Sequence, residues 1–332
     1  MTEASSSLFS AHLSAPTTLL PSWDPAYETG LGAAYIGDSL EAMKTIPDNS
    51  VDLVITSPPY ALHSKKPYGN VAASEYVAWF LPFAAEIRRI LKDDGSFVLN
   101  ISGSWNRGHP TRSISQYKLL IALVEETGFH LAQESYWYNP AKMPVPAEWV
   151  TVRRIRIKDA VEHIWWFGKT EWPKANNRTV LKPYSKDMLR LNARGLKATR
   201  RPGGHAINEG FSKVESGGSI PANVIQEALE NRLPDDFLVF GNNSANDKYT
   251  KRCKEAGLTI HPARFPAALP EFFIKLVTVE GDIVLDPFAG SNTTGAVCER
   301  LSRRWLAFDE VKKYVEGGKF RFEASELAQR GT

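Results

Sequence analysis

The stretch DIVLDPFAGSNTTG at residues 282–295 decides the fold of this 332-residue chain. Its first half is apolar up to Asp286, which predicts a short buried strand. Gly290 then marks a tight turn, and the Ser, Asn and Thr residues after it are typical of a helix N-terminus. A strand, a glycine turn and a helix in this order predict a ligand site, because the glycine backbone and the helix amides allow close approach of a ligand.

An acidic pair follows the next predicted strand, which covers residues 305–308. Asp309 stands where an acid that binds ribose hydroxyls is expected, and its neighbour Glu310 is a rival for that role. The turn lacks the two closely spaced glycines that admit a pyrophosphate. The pattern therefore favours a nucleoside site over a nicotinamide dinucleotide site.

A second corner, TSPPY at residues 56–60, directly follows an apolar run that predicts another strand. Pro58 and Pro59 fix two φ angles and remove two N–H donors, so the loop is stiff and presents carbonyl oxygens. The Ser57 hydroxyl and the Pro58 carbonyl could both accept hydrogen bonds from an exocyclic amino group, while the Tyr60 ring offers a face for a base. A rigid structural turn is the alternative interpretation.

Predicted strands alternate with predicted helices along most of the chain. The strands cover residues 33–36, 51–56, 96–101, 283–285 and 305–308, and the helices cover residues 76–91, 115–127, 269–278 and 293–301. This alternation predicts an α/β fold with a mainly parallel sheet covered on both faces. Glycine and proline clusters interrupt it between residues 146 and 256, which predicts an inserted, loop-rich second domain.

Composition limits the class of protein. With 43% hydrophobic and 23% charged residues the chain is close to the globular average, and two cysteines exclude a disulfide framework and an all-cysteine zinc site. Few cysteines also fit a reducing cytoplasm. No apolar run reaches the roughly 18 residues of a membrane span, and no signal peptide is indicated.

Positive charge is concentrated in one segment. Residues 150–213 carry fifteen Lys and Arg against five acids, although the whole chain has a net charge of only +3. Aromatic residues are interleaved with these basic ones, a pattern typical of a surface that binds phosphates and bases of nucleic acid. An ordinary solvated face is the alternative.

In this order, the TSPPY loop and the later DPFAGSNTT loop resemble the β-type amino-methyltransferases of prokaryotic DNA, and most of all their cytosine-N4-specific members. In that family the catalytic loop precedes the S-adenosylmethionine loop in the chain. The resemblance begins near residue 27 and extends over further runs, namely YIGDSLE 35–41, KDAV 158–161, WWF 165–167, KTEWPK 169–174, GGSIP 217–221 and HPARFP 261–266.

The resemblance implies an α/β, circularly permuted S-adenosylmethionine-dependent methyltransferase fold. This fold is Rossmann-like, with a mixed, mainly parallel sheet and an inserted DNA-recognition domain. The chain would begin at the third strand of the usual order and end with the two cofactor-binding strands. We expect a flexible leader at residues 1–25, a catalytic part at 26–145, a target-recognition domain at 146–256 and a cofactor-binding part at 257–325.

The resemblance also implies the function and the site residues. The chain would methylate the exocyclic N4 of a cytosine that is flipped out of double-stranded DNA, at a short palindromic site. Catalysis would rest on Ser57, Pro58, Pro59 and Tyr60. S-adenosylmethionine would be bound, with no metal, by Asp38 near the adenine, Asp309 at the ribose, and Phe265, Asp286, Phe288, Gly290, Ser291, Asn292 and Thr293.

Other details are implied in the same way. The protein would be a monomer in the cytoplasm of a prokaryote and the modification half of a restriction–modification system with a cognate endonuclease. A close family member carries an acid at the position of Asn100, so Asn100 is expected only to hydrogen-bond the base.

Adenine-N6 methylation is the main alternative, although Asp or Asn usually replaces Ser57 in such enzymes. Cytosine-C5 methylation needs a cysteine on the loop after the strand, and Cys253 and Cys298 lie elsewhere. A protein or RNA amino-methyltransferase would not need the basic insertion. A DNA-binding module without enzymatic activity would leave both loops without a role.

Overall fold

The structure is a computed structural model that describes residues 14–61, 71–139, 142–195, 199–200, 206–207, 217–226, 238–239, 248–264, 266–323 and 326–327. Its strands are β1 Tyr27–Glu28, β2 Gly32–Ile36, β3 Val51–Thr56, β4 Leu91–Ile101, β5 His130–Tyr138, β6 Val161–Gly168, β7 Thr199–Arg200, β8 Ala206–Ile207, β9 Val224–Gln226, β10 Leu238–Val239, β11 Ile283–Asp286 and β12 Arg304–Asp309. Its α-helices are α1 Ser39–Thr45, α2 Tyr76–Ile90, α3 Ser115–Glu125, α4 Lys186–Arg194, α5 Lys248–Glu255, α6 Ala268–Val277, α7 Thr293–Arg300 and α8 Lys312–Gly318.

One large sheet organises the described residues, in the strand order β1-β2-β12-β11-β3-β4-β6-β5-β9-β10. The five strands from β2 to β4 run parallel to one another, whereas β6 is antiparallel to both of its neighbours. The last two strands of the chain therefore lie in the middle of the sheet. This placement confirms the permuted, mixed and mainly parallel sheet that the sequence predicts.

Helices cover both faces of this sheet. On one face α2 buries Tyr76, Phe80 and Ile87, residues whose spacing puts them on one side of a helix, in a cluster that also includes residues of α1 and α3. On the other face α6 buries Phe273 and Ile274 in a cluster with residues of α7. Each predicted strand and helix is present. Strand β4 begins at Leu91 and not at the predicted residue 96, so it includes polar residues that the prediction left out.

Two long strands of the sheet, β5 and β6, were not predicted from the sequence. Strand β6 pairs with β4 and buries Trp165 and Phe167, so it belongs to the central sheet. It nevertheless falls inside the predicted recognition domain, residues 146–256. Strands β9 and β10 of the same sheet also fall inside it. The limits of that domain stay a prediction, with these three strands assigned to the sheet.

The predicted leader is packed where the structure describes it. Leu20 is buried, and the Trp23 ring packs edge-on against Phe308 of β12. Apolar side chains of this segment pack against the sheet. Residues 14–25 are therefore not the flexible segment that was expected. Residues 1–13 lie outside the described residues. No helix in the described ranges has the length and apolarity needed to cross a membrane.

A buried acid ties the beginning of β3 to β11. Asp52 accepts a hydrogen bond of 2.9 Å from the Ile283 amide and forms an ion pair of 2.8 Å with Lys92. Lys174 lies 3.5 Å from the same carboxylate and 2.6 Å from Asp282. The charge of Asp52 is thus compensated in the place where two parallel strands begin.

We expect Asp52→Ala to lower the free energy of unfolding by about 3 kcal/mol, because it leaves a buried amide and a lysine without their acceptor. Glu41→Ala is the control, since its pair with Lys44 is exposed to solvent and should contribute little to stability. Urea denaturation of the three proteins measures both changes. Equal stabilities for the two variants would contradict this role of Asp52.

Candidate active site

Both predicted corners line one cavity of about 370 Å³ at the carboxyl ends of the parallel strands. Ser57, Pro58, Pro59 and Tyr60 form one part of its wall. Another part is formed by residues of the glycine corner and of the acidic pair, namely Phe288, Gly290, Ser291, Thr293, Asp309 and Glu310. The prediction that the proline corner and the glycine corner face the same crevice is therefore confirmed as geometry.

Asp286 joins these two corners from below. One oxygen of its carboxylate accepts a hydrogen bond of 2.7 Å from the Thr56 hydroxyl, and the other accepts one of 2.6 Å from the Thr294 hydroxyl. The amide of Phe288 adds a third bond of 3.1 Å. Burial raises the pKa of Asp286 to about 6. Asp286 is not among the residues that line the cavity, so the structure gives it a role in holding the loops.

The glycine turn depends on a residue without a side chain. Gly290 has a φ of +54°, and a Cβ atom there would lie 2.8 Å from Nε2 of His261. Its amide donates a bond of 2.9 Å to Asp309, whose other oxygen accepts one of 2.8 Å from Val311. Burial raises the pKa of Asp309. Each oxygen of this carboxylate keeps a second lone pair for a ligand.

Asn292 also supports the turn. It adopts a left-handed conformation with a φ of +55°, and its side chain caps α7 by accepting a bond of 2.9 Å from the Gly295 amide. Its Nδ2 donates a bond of 2.8 Å to the Tyr27 hydroxyl. Asn292 is buried and does not line the cavity, whereas the adjacent Ser291 and Thr293 do.

The remaining predicted cofactor residues have different positions. Asp38 is exposed and caps α1 by accepting a bond of 2.8 Å from the Leu40 amide, and its neighbours Gly37 and Ser39 line the cavity instead. Phe288 lines the cavity, and its ring packs 5.1 Å from that of Phe83. Phe265 lies outside the described residues, so its contact with a cofactor stays a prediction.

At the proline corner a polar network surrounds Tyr60. Its hydroxyl lies 3.1 Å from Oγ of Ser57, 3.2 Å from Oδ1 of Asn100 and 2.8 Å from Oε2 of Glu162. The other oxygen of Glu162 forms an ion pair of 3.0 Å with Lys142. Burial and the carboxylate of Glu162 raise the pKa of Tyr60 well above its usual value, so the phenol stays protonated.

Sequence reasoning missed Glu162 and several other residues of the wall. Glu162 pairs with Trp137 across β5 and β6, and cross-strand partners share one face of a sheet. The residues of the wall that were not predicted from the sequence include Trp79, Phe83, Trp137, Glu162, His261 and Arg264. Of these six, only His261 and Arg264 lie in a run that carries the family resemblance, HPARFP. In the described part of the chain, no group of His, Cys, Asp or Glu could hold a metal ion.

A family model described as DNA methylase matches residues 51–320, which is most of the chain. The chain belongs to this DNA methylase family. The match includes both corners of the cavity and the acidic pair at the end of β12.

Individual relatives agree with this assignment. The type II methyltransferase M.PvuII of Proteus hauseri is 48% identical over 308 residues, which cover 92% of this chain and 88% of that protein. A solved structure of the PvuII DNA methyltransferase, described as cytosine-N4-specific, has a TM-score of 0.71 and 42% identity, with 92% of each chain covered. The family predicted from the sequence is confirmed.

A more distant structure shows the same fold. It is the putative DNA modification methylase TTHA0409 of Thermus thermophilus, complexed with S-adenosyl-L-methionine, with a TM-score of 0.53 and 20% identity. The matched region covers 88% of this chain and 93% of the chain of TTHA0409. The S-adenosylmethionine-dependent methyltransferase fold predicted from the sequence is confirmed.

The raised pKa of Asp286 gives a prediction about stability. The folded protein binds the proton of the Asp286 carboxyl more tightly than the unfolded chain does, where the pKa of this carboxyl is 3.8. The stabilisation that comes from protonated Asp286 is therefore complete below pH 3.8 and is lost as the pH rises to about 6. We expect the free energy of unfolding of the wild type to fall over this range relative to that of Asp286→Asn, which cannot titrate there. Urea denaturation at several pH values tests this, and a constant difference would contradict it.

Proposed function

We propose that this chain transfers a methyl group from S-adenosylmethionine to the exocyclic N4 of a cytosine in double-stranded DNA. The observation that carries the proposal is the shared cavity, in which Ser57 and Pro58 face the corner formed by Gly290 and Asp309. It is supported by the similarity to a relative whose description is cytosine-N4-specific.

The residues of the glycine corner fit the cofactor. Asp309 and Glu310 supply carboxylate oxygens that can accept hydrogen bonds from the two ribose hydroxyls, and Gly290 leaves the backbone bare beside them. The Phe288 ring gives the same region an apolar wall. When bound, S-adenosylmethionine supplies an electrophilic methyl group.

The proline corner would prepare the amino group. The lone pair of a cytosine amino nitrogen is delocalised into the ring, so this nitrogen is a poor nucleophile. If Oγ of Ser57 and the carbonyl of Pro58 accept its two hydrogens, the nitrogen becomes more tetrahedral and its lone pair points into the cavity. In the best model reactions such orientation lowers the barrier by about 7–11 kcal/mol.

The base must leave the duplex to reach this corner, at a cost of a few kcal/mol. The Tyr60 ring lines the cavity and offers a stacking face that offsets part of this cost. Residues 151–158 are all exposed and include Arg153, Arg154, Arg156 and Lys158. These side chains belong to the basic segment that we assign to phosphate contacts. They also belong to the recognition domain, residues 146–256 apart from the sheet strands β6, β9 and β10.

The type II methyltransferases among the relatives support a biological context for this reaction. We infer that the enzyme modifies a short palindromic site as one half of a restriction–modification system in a prokaryotic cytoplasm. Each strand of a palindrome presents the same half-site, so a monomer can methylate both strands in separate events. Contact with the cognate endonuclease is not required for this.

Analysis of the reaction product tests the proposed function. DNA methylated by the purified enzyme is digested to nucleosides and analysed by mass spectrometry, with Ser57→Ala as a control for contaminating activity. We expect N4-methylcytosine in the wild-type reaction and a strong loss of it with the variant, because Ser57 supplies one of the two hydrogen-bond acceptors. N6-methyladenine as the product would overturn the assignment to cytosine.

The two acids at the end of β12 can be separated by binding. We expect Asp309→Ala to raise the dissociation constant of S-adenosylmethionine at least tenfold, since hydrogen bonds to a charged group contribute about 1.5–3 kcal/mol. Glu310→Ala should change it less, because Glu310 is exposed. Isothermal titration calorimetry without DNA measures both constants. A large effect of Glu310→Ala alone would move the ribose contact to Glu310.

A further inference from the structure

The cavity contains a carboxylate that the proposed reaction has not yet used. Three acids among the described residues line it, and two of them, Asp309 and Glu310, lie at the end of β12. The third, Glu162, is on β6, which is separated from β12 by three other strands of the sheet. Because β6 runs antiparallel to β4, its first residues lie beside the carboxyl end of β4, next to the proline corner.

The donor and the acceptor of each hydrogen bond around the Tyr60 hydroxyl can be assigned. Its hydroxyl has a single hydrogen, and the charged oxygen of Glu162 at 2.8 Å is a better acceptor than the amide oxygen of Asn100 at 3.2 Å. Tyr60 therefore donates to Glu162. Ser57, at 3.1 Å from the same hydroxyl, must then be the donor to Tyr60. The lone pairs of the Ser57 oxygen remain available to accept from an amino group in the cavity.

The proposed methyl transfer needs a proton acceptor. When the nitrogen lone pair forms the new bond to the methyl carbon, the bond from that carbon to the sulfur of S-adenosylmethionine breaks and its electron pair stays on the sulfur. The nitrogen then holds two hydrogens and a positive charge, and one proton must leave. Asn100 is a neutral amide, and the hydroxyls of Ser57 and Tyr60 are weak bases, so none of these three groups can keep that proton. Of the described groups in contact with the Tyr60 hydroxyl, only Glu162 can.

We propose that Glu162 is a positioning residue that also receives this proton, through the hydroxyls of Ser57 and Tyr60. The amino N–H passes its proton to Oγ of Ser57 as Ser57 passes its own to Tyr60. Tyr60 at the same time passes its proton to Oε2 of Glu162. Each hydroxyl loses one proton and gains another, so Ser57 and Tyr60 both remain hydroxyls. The methylated nitrogen becomes neutral, and Glu162 becomes a carboxylic acid.

Lys142 completes the arrangement. It binds the other oxygen of Glu162 at 3.0 Å, which leaves Oε2 directed at Tyr60. The side chains of Glu162 and Lys142 are 13% and 23% exposed, so the pair is partly open to solvent and the acid can lose its proton to water between reaction cycles. Asn100 holds its place by donating a bond of 3.1 Å to the backbone oxygen of His163.

The inference rests on the proposed amino-methyl transfer, so the product of the wild-type enzyme is identified first. The rate constant of a single turnover is then measured for Glu162→Gln, which keeps a hydrogen-bond acceptor but cannot take the proton. We expect this rate to fall about 100-fold, within the usual range for proton-transfer groups. Glu134→Gln on β5, outside the cavity, is the matched control and should retain the wild-type rate.

Tyr60→Phe tests the relay without disturbing the pair of Glu162 and Lys142. We expect it to lower the single-turnover rate to a similar extent, and the double variant with Glu162→Gln to be no slower than the slower single variant. Added formate should partly restore the rate of Glu162→Ala, since a small carboxylate can occupy the vacated space. A residue with a purely structural role would show neither effect.

Binding separates the relay from a role in substrate affinity. The dissociation constants of S-adenosylmethionine and of DNA should stay within about threefold of wild type in Glu162→Gln. A wild-type single-turnover rate in Glu162→Gln would show that water takes the proton and would overturn the inference. Multiplicative effects in the double variant would also overturn it, as would a loss confined to binding. If the wild type makes no methylated amino group at all, the proposed function itself fails.

Discussion

A buried carboxylate holds the two corners of the cavity together. Asp286 ends β11 in the middle of the sheet and binds the hydroxyls of Thr56 from β3 and Thr294 from α7. Strands β11 and β3 are adjacent and parallel, so their loops open at the same edge. This carboxylate therefore holds the loop of Ser57 and Pro58, the proposed acceptors of the amino group, at a fixed distance from the glycine turn. Catalysis by orientation depends on such a fixed distance.

The two corners were predictable because their determinants are local. Prolines, a glycine and capping residues act on their own backbone, and the alternation of strands and helices is a pattern of neighbours. The position of Glu162 was not predictable from these patterns. It lies beside Tyr60 only because β6 pairs antiparallel with β4, and the register between distant strands is not written in a short stretch of sequence.

Three acidic or amide residues of the motifs have a second use in the structure. Asp38, Asp286 and Asn292 each use their side chains to bind groups of the protein, and their expected contact with the cofactor stays a prediction. Polar side chains in loops often satisfy the backbone around them, and a motif does not distinguish that use from ligand binding. The residues left to face the cavity are fewer, and they include the bare backbone of Gly290 and the carboxylate of Asp309.

The position of β11 and β12 in the sheet has a consequence for the life of the protein. Both neighbours of this pair, β2 and β3, are synthesised early, and most of the chain must follow before their partners exist. On the ribosome these early strands have unpaired edges, and the cavity cannot form. A nascent chain therefore carries no methylating centre, and activity begins only when translation has delivered the last strands.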